Sequence, residues 1–392
     1  MMLHRRQLLA AGATALLLSP LGARMAFAAA PTERRFVFII QRGAADGLGI
    51  VAPVGDPAFA GARGDLAADF AGAPKLDAMF ALHPAMPGML GLYQAKQALF
   101  VHAVASPYRD RSHFDGQNVL ETGGVSAYQL KDGWMNRLLR LLPAGDKGLA
   151  LAASVPMALR GSVEVASYAP SSLPEASDDL LARVSAMYAG DQQLHPLWQE
   201  AMATRMLTGD LGGDGGKRAA DTGTLAAKLL AAPGGARVAM IETGGWDTHS
   251  GQRGRLGGQL KGLDAMVAAL KDGLGPHWDN TLVVVATEFG RTVKANGTGG
   301  TDHGTGSVAM LLGGAVQGGR VQADWPGLGD AALYEGRDLR PTTALDVLIA
   351  SAVSSHFALA PARTAKALFP AMTTAAAGME GLVRGRVSTK RI

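Results

Sequence analysis

The chain has no cysteine, and charged residues make up only 18% of it. The first absence excludes disulfides, so stability has to come from a packed core. The roughly 360 residues beyond the N-terminal segment are enough to build one large α/β domain. After the first thirty residues no segment reaches the roughly 20 consecutive apolar residues that a membrane span requires. A basic block with interleaved aromatics is also missing, which leaves nucleic-acid binding without support. The formal charge of +4 overstates the basicity of the folded part. Arg5, Arg6 and Arg24 supply three positive charges and residues 1–28 hold no acid, so +1 remains beyond them.

What is present begins with an export pattern. Arg5-Arg6 precede an apolar stretch from Leu8 to Leu21, and Ala26-Phe27-Ala28 offers a small-x-small cleavage site. With only about 14 apolar residues the stretch is too short for an anchor helix. It reads as a twin-arginine (Tat) signal over residues 1–28. The expectation is a periplasmic or secreted protein with no stable membrane span once processed. Its export partner is the Tat machinery, which carries folded proteins and so permits cofactor loading before export.

Apolar runs bounded by turn residues recur down the rest of the chain. Residues 35–41, 98–105, 148–154, 238–243, 281–287 and 307–312 read as buried strands. Phe36-Val37-Phe38-Ile39-Ile40 and Leu282-Val283-Val284-Val285 have the unbroken apolar character of inner strands in a mostly parallel sheet. Helical patterns lie between them, at 86–97, 134–142, 178–188, 196–207, 222–232 and 257–274. The alternation predicts one α/β domain over residues 31–372, a three-layer sandwich with helices on both faces of the sheet. A Gly- and Asp-rich stretch, 208–224, reads as a surface loop, and 373–392 as a tail prone to fray. The methionines are scattered and read as core filler.

Chemistry-bearing residues cluster at the ends of the strand patterns. The first strand runs into Arg42-Gly43-Ala44-Ala45-Asp46-Gly47. An acid there can bind a metal, or can simply be the Asp of a turn. After the second long strand comes Arg109-Asp110-Arg111-Ser112-His113-Phe114-Asp115-Gly116-Gln117. Ser112 suits a helix N-cap, with Asp115 at capping-box spacing. The same place would set its hydroxyl beside backbone N–H groups that favour negative charge. Arg109 and Arg111 would add an anion clamp, making Ser112 a candidate nucleophile.

Asp247 and His249 lie two apart after Gly244-Gly245-Trp246, on one side of an extended segment. Glu288 closes the strand at 281–287 and needs a partner there, either a metal or Arg291 three residues on. Asp302-His303 follow a glycine-rich turn, and His is a common transition-metal ligand. His83, His102, His195, His277 and His356 lack such surroundings and read as structural.

Taken in order, six segments resemble the DUF1501 family of twin-arginine-exported bacterial proteins. They are Arg-Gly-Ala-Ala-Asp-Gly at 42–47, Leu-His-Pro at 82–84, Arg-Ser-His-Phe-Asp-Gly-Gln at 111–117, Gly-Gly-Trp-Asp-Thr-His at 244–249, Thr-Glu-Phe-Gly-Arg-Thr at 287–292 and Gly-Thr-Asp-His-Gly at 300–304. The resemblance spans roughly residues 35–360. That family is in turn similar to the alkaline phosphatase and sulfatase superfamily, whose members use two metals to activate a Ser or Thr nucleophile on phosphate or sulfate esters. The resemblance implies an alkaline phosphatase-like fold. It implies metal ligands at Asp46, Asp247, His249, Glu288 and His303, and the nucleophile at Ser112. Where the superfamily has Asp-His at the strand end, this chain has Glu288-Phe289, so His113 or Asp302 would have to replace a missing ligand.

The function expected from this set is an exported hydrolase of anionic phosphate or sulfate esters, small or polymeric. It would hold one or two divalent ions (Zn, Mn, Ca or Mg), with Arg109, Arg111 or Arg291 gripping the anion. Cys-derived formylglycine chemistry is excluded by the missing cysteine. Two other readings remain: a non-catalytic periplasmic binding protein on the same scaffold, and an envelope phospho- or sulfo-group transferase.

Overall fold

A computed structural model describes residues 33–169, 178–208, 219–372 and 379–384. The signal segment expected at 1–28 lies outside the described residues. Strands β1 (Arg35–Gln41), β2 (Val51–Ala52), β3 (Ala81–Leu82), β4 (Ala98–Ala105), β5 (Gly148–Leu151), β6 (Val165–Ser167), β7 (Val238–Thr243), β8 (Thr281–Ala286), β9 (Ser307–Leu312), β10 (Arg320–Gln322) and β11 (Thr343–Ala344) are joined mainly by helices. The main sheet has the order β10-β4-β9-β8-β1-β7-β5-β6, with β11 added beside β4. All its pairings are parallel except those of β9, which runs against both β4 and β8. β2 and β3 form a separate small antiparallel pair.

Central strands are apolar on both faces because both faces are covered. In β1, Val37 and Ile39 enter one core with Leu82, Met89, Leu260, Met266 and Leu270. Phe36, Phe38 and Ile40 enter a second with Trp134, Leu348, Val353 and Leu368. The helices Pro87–Gln94, Ala219–Ala231 and Gln252–Leu274 cover the first face, and Trp134–Leu139, Leu345–Phe357 and Pro361–Leu368 the second. This is the three-layer α/β arrangement read from the alternation of patterns.

Several boundaries differ from expectation. Residues 219–224, assigned to a glycine-rich loop, are the first turns of a helix, and 209–218 lie outside the described residues. Leu225, Leu229 and Leu230 give that helix its buried face. Gly223 lets it approach Gln252–Leu274 so closely that a Cβ there would lie 2.1 Å from the Met266 carbonyl oxygen. β5 ends at Leu151, short of Ser154. In the segment expected to fray, residues 379–384 bury Leu382 and Val383, and Val383 bridges to Val316.

β1, β4, β7 and β8 point the same way, so their carboxyl ends share one edge of the sheet. The loops that leave this edge carry every candidate site residue, the arrangement general to open α/β sheets.

Candidate metal centre

Three imidazoles and one carboxylate converge at that edge. His113 opens the helix His113–Thr122 after β4, Asp247 and His249 lie in the loop after β7, and His303 precedes β9. His249 Nε2 lies 3.0 Å from His303 Nε2 and 3.0 Å from Asp247 Oδ1. His303 Nε2 is 3.2 Å from the same oxygen, and His113 Nε2 is 3.5 Å from Asp247 Oδ2. The four side chains are 25–44% exposed, so solvent reaches the cluster.

Each ring is held through its other nitrogen. His303 Nδ1 lies 3.0 Å from the carbonyl oxygen of Arg111, which can only accept, so the proton sits on Nδ1 and Nε2 keeps a lone pair. His113 Nδ1 lies 2.8 Å from Glu288 Oε1, and His249 Nδ1 3.2 Å from Asp302 Oδ1. Carboxylates place the proton on Nδ1 in the same way. In their neutral forms the three imidazoles thus turn Nε2 lone pairs toward the Asp247 carboxylate. Two of these nitrogens are 3.0 Å apart, a contact that a cation between them, or a proton on either nitrogen, makes favourable.

The donors fit a metal. Ligands 2.0–2.1 Å from a tetrahedral zinc lie about 3.3 Å from each other; four of the donor pairs here are 3.0–3.5 Å apart, and His113, Asp247 and His303 form the group whose ligand atoms all lie within 4.8 Å of one another, with His249 beside His303 and Asp247. His113 Nε2 is buried and has no hydrogen-bond partner. Backing of each imidazole by an oxygen is the usual outer shell of a histidine-ligated metal.

Glu288 is wholly buried and its oxygens are already occupied. Oε1 accepts hydrogen bonds from the Gly43 N–H at 2.8 Å, from His113, and from Gln117 Nε2 at 3.3 Å. Oε2 accepts one from Thr287 Oγ1 at 3.0 Å. Burial pushes this carboxyl up, but those donors, His113 foremost, outweigh it and hold it below the ordinary glutamate range. The hydrogen bond to Glu288 in turn raises His113. The structure therefore places Glu288, like Asp302, behind an imidazole rather than among the converging atoms. A strand-end acid can turn to either side, and this one faces the Gly43 amide and the helix at His113.

Asp46 is likewise not brought into the cluster. Its carboxylate pairs with the guanidinium of Arg63 and accepts from Gln252 Nε2, with Asp46 and Arg63 each 1% exposed. The expected anion clamp is not assembled either. Arg109 turns onto the carbonyls of Ser106 and Tyr108. Arg111, at φ +60°, pairs with Asp338 at 2.8 Å and with Glu335. Arg291 is bound to Asp247 Oδ1 at 2.5 Å and to Thr301. Burial pushes Asp247 up, but Arg291 and the imidazoles hold it below its ordinary range.

Ser112 stands at the N-cap of His113–Thr122, yet its side chain makes no capping bond. Phe289 stacks on His113, with centroids 5.1 Å apart. Gln117, Gln252 and Thr301 were passed over in the sequence. For Gln117 a signal existed: it lies four residues after His113, on the same helical face.

The family described as "Protein of unknown function (DUF1501)" matches residues 33–350. The chain belongs to the DUF1501 family. No curated protein matches it. Among solved structures, the DUF1501 protein is similar to the C-terminal periplasmic domain of EcEptC from Escherichia coli in complex with Zn. That likeness has 10% identity and a TM-score of 0.38, over 72% of this chain and 73% of that one. A protein in the alkaline phosphatase superfamily from Vibrio parahaemolyticus is 12% identical, with a TM-score of 0.38 over 74% and 62%. Phosphonate monoester hydrolase of Agrobacterium radiobacter is 11% identical, with a TM-score of 0.28 over 74% and 70%. Among the described residues no helix is long and apolar enough to cross a membrane.

Proposed function

We propose that this DUF1501 protein is an exported, metal-dependent hydrolase of phosphate or sulfate esters, with one divalent cation held by His113, Asp247, His249 and His303. The observation that carries the reading is the convergence of three oxygen-backed imidazoles on one carboxylate. A donor set of three nitrogens and one oxygen suits Zn or Mn better than Ca or Mg, which prefer all-oxygen shells. Asp46, Glu288 and Asp302 are engaged elsewhere, so the set provides for one ion rather than two. The bound cation would supply Lewis acidity and positive charge beside a reacting oxyanion.

The chain's own part is positioning. Ser112 precedes His113 directly, and its hydroxyl is not spent on capping the helix. The first-turn N–H groups of that ten-residue helix favour negative charge beside it. Ser112 is the proposed nucleophile. Arg291 holds Asp247, and the Tat-type signal accounts for delivery of a folded, metal-loaded protein.

A second reading has one observation in its favour. Arg111 and Arg291 are each paired with a carboxylate, and Arg109 with carbonyls, so the anion grip expected of an efficient ester hydrolase is not assembled. That suits a binding protein. Release of phosphate or sulfate from an ester panel, measured with Zn or Mn for the unmodified protein, Ser112→Ala and Asp247→Ala, decides between them. Turnover lost in both variants supports hydrolysis at this site. Stoichiometric metal with no turnover of any ester leaves the binding reading.

A further inference from the structure

Behind the metal centre runs a continuous, buried hydrogen-bonded path. Arg63 pairs with Asp46, and the same carboxylate accepts from Gln252 Nε2. Because Asp46 can only accept, it fixes the amide of Gln252, with nitrogen toward Asp46 and oxygen toward the other side. Gln252 Oε1 then accepts from Thr301 Oγ1 at 2.7 Å and from Thr248 Oγ1 at 3.0 Å. Thr301 has spent its one proton, so its oxygen accepts from Arg291 Nε at 3.1 Å. Arg291 Nη1 reaches Asp247 Oδ1 at 2.5 Å. Arg63, Asp46, Gln252, Thr248, Thr301 and Arg291 are each no more than 1% exposed. Each bond cited on this path has a defined donor and acceptor, so the direction of each follows from the one before it.

We infer that Gln252 and Thr301 are positioning residues of the metal centre. Anchored by the Asp46–Arg63 pair, they set the guanidinium of Arg291 and, through it, the carboxylate of Asp247. The inference rests on the reading that Asp247 and the three imidazoles bind a cation. It gives a role to Asp46, which stands where a ligand was expected but is turned away from the ion.

The two threonines provide an internal comparison. Both are wholly buried and both donate to Gln252 Oε1, but only Thr301 accepts from Arg291. Valine replaces either hydroxyl by a methyl of similar size. Co²⁺ titrations followed by its visible absorption spectrum, with the melting temperature of each metal-free protein, test the difference. Thr301→Val is expected to weaken Co²⁺ binding about tenfold, at the lower end of outer-shell effects, and to alter the spectrum. Thr248→Val, which leaves no buried N–H without an acceptor, is expected to lower the melting temperature less while keeping the unmodified affinity and spectrum. Equal affinity and spectra in both variants and the unmodified protein would overturn the positioning role and leave the metal site standing. Unmodified protein that binds no Co²⁺ would overturn both.

Discussion

Replacing Glu288 by glutamine separates an acid that binds a metal from one that aims a ligand. Glu288 Oε1 faces His113 Nδ1 at 2.8 Å and the Gly43 N–H at 2.8 Å. A glutamine oxygen placed there keeps both acceptor contacts. Its nitrogen then faces Thr287 Oγ1, whose proton can go to the Gln41 carbonyl at 2.7 Å. The fold is therefore expected to tolerate the change, which an alanine would not allow. What is lost is the charge on the bond to His113. Charged hydrogen bonds are roughly twice as strong as neutral ones, and outer-shell carboxylates are worth about 10–100-fold in metal affinity, or about 1.4–2.8 kcal/mol. Glu288→Gln should bind one ion per chain at an affinity lower by that factor, while Asp247→Ala should bind none. Equilibrium dialysis with Zn²⁺ against a competing chelator measures both. If Glu288→Gln abolishes binding, the acid is a ligand; if affinity is unchanged, the charge on the bond to His113 contributes nothing to metal binding. Either result refutes the reasoning.

Other expectations follow from buried groups. His102 and His356 are held neutral chiefly by burial, pushed down to about 4 and about 3. Unfolded histidine protonates near 6.5, so their stability contribution is complete above pH 6.5 and is lost as pH falls toward 4 and 3. At about 1.4 kcal/mol per unit the loss near pH 4.5 is about 5 kcal/mol for the two. The urea midpoint of metal-free protein should fall steeply between pH 6.5 and 4.5, and a flat profile would contradict this. Asp46→Asn leaves Arg63 charged and buried, and should cost about 3–5 kcal/mol by urea unfolding while metal stoichiometry stays at one. Loss of the ion at a temperature where the variant is folded would restore Asp46 as a ligand. Gly290→Ala puts a Cβ 1.9 Å from the Gly306 carbonyl oxygen. It should lower stability by about 1–3 kcal/mol and weaken metal binding together, because the loop between Glu288 and Arg291 must move. Unfolding and dialysis on that variant check both.

Much of the architecture was legible because strand burial writes itself as unbroken apolar runs. Residues 35–41, 98–105, 238–243 and 307–312 are strands with the boundaries read from composition. Which site residues converge was legible only in part. Asp247, His249 and His303 stood out because they flank glycines at strand ends, whereas His113 entered only as a possible replacement for a ligand missing from the superfamily pattern. The division between proposed ligand and proposed support was not legible. Glu288 and Asp302 are acids in the same kind of context as Asp247, and only the side to which each carboxylate turns separates them. The partner of Asp46 is Arg63, in a short helix within an Ala- and Gly-rich segment that carried no chemical signal. Arg111 read as an anion clamp, but its side chain serves Asp338 and its carbonyl serves His303, contacts made across 227 and 192 residues of chain. Gln252 and Thr301 hold no charge and lie next to ligand motifs rather than within a pattern of their own.

Everything proposed for this site requires one ion held by three imidazoles and a carboxylate. Elemental analysis by mass spectrometry of protein purified without chelators addresses it most directly. One equivalent of a transition metal per chain, absent from Asp247→Ala prepared in parallel, is the predicted result. No stoichiometric metal, even after incubation with Zn²⁺ or Mn²⁺, would contradict it.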